Sequence, residues 1–143
     1  RWTLERFGWN AFFPAVIAME HQAGRGKPDP YPLELAFAEL LNQASGLLPE
    51  HTAYLGDTID DMRAATAAGS IPIGVVPPYL DFEAHGARLR EAGAWEVLNS
   101  ADAFPALLTT DDRRRTTGHC KQPSSVVIIF RSCASASAPA GSC

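Results

Sequence analysis

The chain has 143 residues, 46% apolar and 20% charged, which suits one domain with a real core and leaves little room for a second. Its net charge of −4 is uneven: residues 1–108 carry 7 basic and 14 acidic side chains, and residues 109–143 carry 5 basic and 2 acidic. The acidic body argues against a nucleic-acid surface, which needs clustered Lys and Arg, and no stretch reaches the roughly 18–20 apolar residues of a membrane span.

The first residues, Arg1-Trp2-Thr3-Leu4, have neither an initiator Met nor the layout of a signal peptide, and read as a chain that begins within a domain. Trp2 to Phe7 predicts a short helix that Gly8 stops. Phe12 to Met19, with Val16 and Ile17 at its centre, predicts a short buried strand. His21 to Lys27 holds two glycines without apolar periodicity, a loop. Pro30 and Pro32 suit a helix start, and Leu33, Phe37, Leu40 and Leu41 continue at helical spacing to about Asn42. Gly46 and Pro49 break the chain, and Thr52 to Leu55 predicts a strand ending at Gly56 and Asp57.

Asp60 to Ala68 predicts a helix with Met62, Ala65 and Thr66 on one side and Gly69 as its stop. Ile71 to Val76 is a β-branched strand closed by Pro77-Pro78. Phe82 to Ala92 is a helix with Arg88, Arg90 and Glu91 outward, Trp95 to Leu98 a weak last strand, and Ala101 to Leu108 a last helical turn or two. Strands alternating with helices of this length imply a parallel sheet with right-handed crossovers, hence an α/β, doubly wound architecture. Trp2, Trp9, Phe12, Phe13, Phe37 and Trp95 are expected as core or covering contacts.

Beyond Thr109 the character changes. Residues 132–143 use only Ser, Ala, Cys, Pro and Gly, so residues 109–143 are expected to form a disordered tail. Within it, Val126 to Phe130 is a lone apolar run, either an added strand or an aggregation hazard. Arg113-Arg114-Arg115 beside two aspartates reads as a solvated stretch. Cys120, Cys133 and Cys143 all lie in the tail, are odd in number and match no zinc or redox spacing. The body has no cysteine, so a soluble, intracellular protein is expected.

Two clusters carry chemistry. Gly24-Arg25-Gly26-Lys27-Pro28-Asp29-Pro30 sets a glycine-flanked lysine at a helix entrance, where helix potential and ammonium together favour phosphate. Gly56-Asp57-Thr58-Ile59-Asp60-Asp61 crowds three carboxylates just past a strand's carboxyl end, where open parallel sheets bind ligands. Carboxylates so close repel unless a cation neutralises them, and Mg²⁺ accepts one or two of them with waters and phosphate oxygens.

Lys-Pro-x-Pro followed about thirty residues later by strand-Gly-Asp-x-x-x-Asp, and then by Ala-Ala-Gly and Ile-Pro-Ile-Gly-Val-Val, resembles the third and fourth motifs of the haloacid dehalogenase-like (HAD-like) hydrolases, in particular their phosphoglycolate-phosphatase-like branch. The resemblance covers roughly residues 3–108 and implies a partial Rossmann-like core, residues 1–108, lacking the first two strands and the cap. It further implies that Lys27 neutralises the nucleophilic aspartate and the transferring phosphoryl group, that Asp57 ligates Mg²⁺, and that Asp61 serves as a catalytic or metal residue, holding the second layer of the site or a metal-bound water. Asp60 is expected to be an acid favoured at a helix start. Dehalogenases proper replace the Gly-Asp of the fourth motif and use no metal, so Asp57 favours phosphoryl chemistry. The implied partner is a small phosphorylated metabolite, with no nucleic acid and no membrane.

The family's first motif, Asp-x-Asp, is absent: no aspartate precedes Asp29. The implied reaction passes through an aspartyl-phosphate, so the chain alone is expected to be inactive, or to be a module that binds only a cation or a partner. A phosphorylation-receiver module shares fold and acidic pocket but places its acids before its lysine, the reverse of the order here.

Overall fold

The computed structural model describes residues 2–42, 46–109 and 126–129. It contains the helices α1 (Trp2–Arg6), α2 (Tyr31–Leu41), α3 (Ile59–Ala67), α4 (Phe82–Glu91) and α5 (Phe104–Thr109), and the strands β1 (Thr52–Gly56), β2 (Ile71–Val75), β3 (Glu96–Leu98) and β4 (Val126–Ile129). The strands form one parallel sheet in the order β3-β2-β1-β4. Ala53 stands opposite Ile71, Ile73 opposite Glu96, and Thr52 opposite Val126. The α/β, parallel reading of the sequence holds.

Alternation along β1 divides the core. Tyr54 faces Leu33, Phe37 and Leu40 of α2 and Ala64 and Ala65 of α3. Its neighbours Ala53 and Leu55 pack instead with Ile73 and with Phe104 of α5. Met62 of α3 and Leu89 of α4 meet Val76 and Val97 in a third cluster. Every residue of β1 is buried, the pattern of a strand covered on both faces. α3 stops where Gly69 takes φ +77°, with the Ser70 N–H returning to the Ala65 carbonyl at 3.0 Å.

Three expectations need correction. Phe12 to Met19 is not a strand: Trp9–Phe12 and Met19–His21 are 3₁₀ turns joined by irregular chain. Pro14 interrupts the run and no described strand lies beside it, although Ala15 and Ile17 still pack on the α2 core. Trp9, Phe12, Phe13 and Trp95 are exposed rather than core, Phe7 and Trp9 stacking with ring centroids 5.1 Å apart, while Phe37 is buried. Thr66 is exposed, and Ala64 takes its place on the buried face of α3. Within the expected tail, Val126–Ile129 pairs with β1 as the added-strand reading proposed. The three cysteines, the arginine triplet and the rest of the tail lie outside the described residues.

Candidate active site

Two junctions meet at the carboxyl end of β1: the loop entering α2 brings Lys27, and the β1–α3 turn brings Asp57 and Asp61. Asp61 is fully buried and both its oxygens are taken. Oδ1 accepts from Lys27 Nζ at 2.5 Å and from the Tyr54 hydroxyl at 3.0 Å. Oδ2 accepts from the Asp57 N–H at 3.2 Å, the Thr58 N–H at 3.0 Å and the Thr58 hydroxyl at 2.7 Å. A buried carboxylate needs such compensation, since one without it would lose its charge instead. Burial and the neighbouring Asp61 charge push the Tyr54 phenol upward, so it stays a donor.

The same contacts start α3. Thr58 is its N-cap, its hydroxyl accepting from the Asp61 N–H at 3.2 Å while the Asp61 carboxylate takes the Thr58 N–H. This is a capping box with Asp in the acidic place. Gly56 explains the glycine of the motif: a Cβ there would lie 2.3 Å from the Asp61 Cβ and 2.6 Å from its Cγ. Only a residue without a side chain lets Asp61 fold back on the strand.

Asp57 is the opposite case. Its Oδ1 is buried and has no hydrogen-bond partner. Burial first, and then the Asp61 charge, raise its carboxyl above the ordinary value, with Lys27 opposing. Its main chain is fixed all the same, the N–H by Asp61 and the carbonyl by His85 Nε2 of α4 at 2.8 Å. Asp60 points outward with a long ion pair to Arg63 at 3.8 Å, as a helix-start acid should.

The Lys27 loop has its own frame. Arg25 donates from Nε and Nη2 to the two Asp29 oxygens, each at 3.1 Å, and its guanidinium lies 4.3 Å from the centre of the Tyr31 ring. Asp29 also accepts the Tyr31 N–H at 2.9 Å, and that bond first, with Arg25 second, holds its carboxyl below the ordinary range. The Asp29 N–H closes a turn onto the Gly26 carbonyl at 3.1 Å, with Lys27 between them.

Residues 1–69 match the family model of a haloacid dehalogenase-like hydrolase. The match covers 69 of the 143 residues. Among solved structures it resembles a haloacid dehalogenase-like protein of unknown function from Agrobacterium tumefaciens at 26% identity and a TM-score of 0.61, over 73% of this chain and 46% of that one. It also resembles a HAD family hydrolase from Deinococcus radiodurans, solved with bound phosphate and sodium, at 28% identity and a TM-score of 0.60, over 73% of this chain and 44% of that one. The chain thus spans less than half the length of either. No curated protein matches it.

Lys27, Asp57 and Asp61 come together at this corner and differ in their partners: both Asp61 oxygens are engaged, and Asp57 Oδ1 is not. Among the described residues no three His, Cys, Asp or Glu side chains form a metal cage. Mg²⁺ takes few protein carboxylates and keeps waters, and a carboxylate oxygen without a partner is a donor of the kind it accepts. The unpartnered Asp57 oxygen is the atom such a cation would meet. Sequence reading assigned no role to Tyr54, Arg25 or His85. Periodicity showed Tyr54 only as strand filling, and His85 lies 28 residues from its partner. An open cavity of 720 Å³ lined by residues including Phe13, Val16, Ile17 and His21 contains none of the site residues. No described helix is long and apolar enough to cross a membrane.

Proposed function

We propose that this chain carries the lysine and the metal-binding carboxylate of a Mg²⁺-dependent phosphatase acting on a small phosphomonoester, on the phosphoglycolate-phosphatase-like side of the family. The observation that carries the reading is the contrast at the β1–α3 turn: a buried Asp57 oxygen without a partner, beside an Asp61–Lys27 pair with every lone pair engaged. Asp57 is the direct ligand, and bound Mg²⁺ would supply charge stabilisation to the phosphoryl oxygens. Asp61 holds Lys27, whose side chain is 22% exposed. There it neutralises a phosphoryl oxygen and the attacking carboxylate. Positioning and charge neutralisation are most of what phosphoryl transfer asks of a protein. The phosphate held by the Deinococcus relative supports the ligand class.

No aspartate precedes Asp29, so the nucleophile is not supplied by residues in the family's order here, and the chain by itself binds the cation without turnover. Two measurements test this. Hydrolysis of p-nitrophenyl phosphate with Mg²⁺ should stay at background; turnover that survives purification and is lost in Asp57→Asn overturns the inactive half. Calorimetric or paramagnetic titration with Mn²⁺ should show uptake that Asp57→Asn removes. Absent uptake, or equal uptake by both proteins, overturns the site.

A further inference from the structure

His85 makes a contact that its own helix does not require. α4 is placed by buried Leu89 and by Gly86, which is buried beside Val97. From there the half-buried His85 ring reaches across to the Asp57 carbonyl. A carbonyl only accepts, so Nε2, the ring nitrogen that faces it, carries a proton. Asp57 is thereby gripped twice through its backbone, by Asp61 at the N–H and by His85 at the C=O.

We infer that His85 is a positioning residue for the cation site: by holding the Asp57 peptide from α4 it fixes the direction in which the Asp57 carboxylate leaves the chain. The inference rests on the reading of Asp57 as the metal ligand. Its physical need is plain. The Asp57 carboxylate stands beside the Asp61 carboxylate, and like charges so close repel. Oδ1 has no hydrogen-bond partner of its own, and the two bonds on the Asp57 main chain supply a fixed base for the side chain. Groups that orient a metal ligand commonly matter about tenfold to a hundredfold in affinity without touching the metal.

The test uses the chain as it is. Long-range ¹⁵N–¹H spectra of the metal-free protein should show the Nε2–H tautomer at His85, and His85→Ala should move the Asp57 carbonyl ¹³C signal. In Mn²⁺ titrations His85→Ala should weaken binding about tenfold, and His85→Gln, which keeps an N–H donor, should recover most of it. Leu89→Val, which loosens α4 without touching the ring, should lower Tm and leave Mn²⁺ affinity unchanged. An Nδ1–H tautomer, an unmoved Asp57 carbonyl, or equal losses in the Ala, Gln and Leu89→Val proteins would overturn the positioning role. A wild-type chain with the expected tautomer but no Mn²⁺ uptake overturns the metal reading, and the role of His85 falls with it. Loss of uptake in Asp57→Asn with none in His85→Ala sinks the His85 inference alone.

Discussion

Asp57 and Asp60 sit three residues apart and carry the same group, yet substitution should separate them. Asp57→Asn removes the unpartnered buried oxygen and with it divalent binding, read by Mn²⁺ titration. Asp60→Asn removes an exposed acid in the first turn of α3 and should cost only about 0.3–1 kcal/mol of stability, with unchanged metal uptake. Without metal the Asp57 change has a pH signature. Its carboxyl titrates above 3.8 when folded, so the folded chain holds that proton more tightly than the unfolded one. The associated stability is present below the ordinary value and is lost as pH rises through the raised one. Asp57→Asn should therefore raise Tm at neutral pH in chelator, the gain should vanish below the ordinary carboxylate range, and saturating Mg²⁺ should reverse the order. A third change acts by volume. Gly56→Ala puts a methyl 2.3 Å from the Asp61 Cβ and should destabilise by about 1–3 kcal/mol while unseating the Lys27 pair. Retained stability with a weaker grip on phosphate would instead mean that α3 gives way easily. Such reasons for Gly56 were partly legible in the sequence, since the Gly-Asp pair stood out. The donors from Tyr54 and His85 were not legible, because nothing in a linear pattern marks a side chain that reaches a carboxylate or carbonyl on another element.

At the scale of elements, α3 does most to build the site. Its N-cap hydroxyl and its third residue bond reciprocally, so the bonds that begin the helix also aim Asp61 at Lys27. Thr58→Ala should then cost more than the ~1 kcal/mol of an ordinary N-cap loss, because Asp61 Oδ2 also loses a hydroxyl donor in a fully buried place. Thr58→Ser should restore both stability and Lys27 position, measured by thermal unfolding and by the Lys27 side-chain NMR signals. A full rescue by Asn would show that capping alone mattered. The helices and the strands β1, β2 and β3 were readable because their apolar spacing matches burial on a sheet with helices on both faces. The Phe12–Met19 run failed for a tertiary reason. An apolar stretch becomes a strand only with a neighbour to bond, and here Pro14 and the absence of a described partner leave it irregular. The exposed Phe7, Trp9 and Phe12 follow from the same lack of a covering surface on that side.

For the whole molecule the question is what stands at the outer edge of β1. β1 is buried at all five positions, and on the side away from β2 it pairs with Val126–Ile129 in parallel register, Thr52 opposite Val126 and Leu55 opposite Ile129. Without a partner there, β1 would expose a row of unpaired N–H and C=O groups along an apolar strand, which is a template for pairing with another chain. A chain ending at Thr109 tests this. At about 1 kcal/mol for each backbone hydrogen bond lost, removing β4 should lower Tm clearly. The bared edge should also make the shortened chain self-associate, seen as a concentration-dependent shift in sedimentation velocity. Lys27, Asp57 and Asp61 are tied to one another by contacts that do not involve β4, so Mn²⁺ uptake should persist in whatever monomer remains. A Val127→Pro change in the full chain, which removes a backbone N–H from β4, should act in the same direction as the deletion. If the shortened chain is as stable and as monomeric as the full one, β4 contributes nothing to the fold and residues 109–143 are the dispensable tail that their composition suggests.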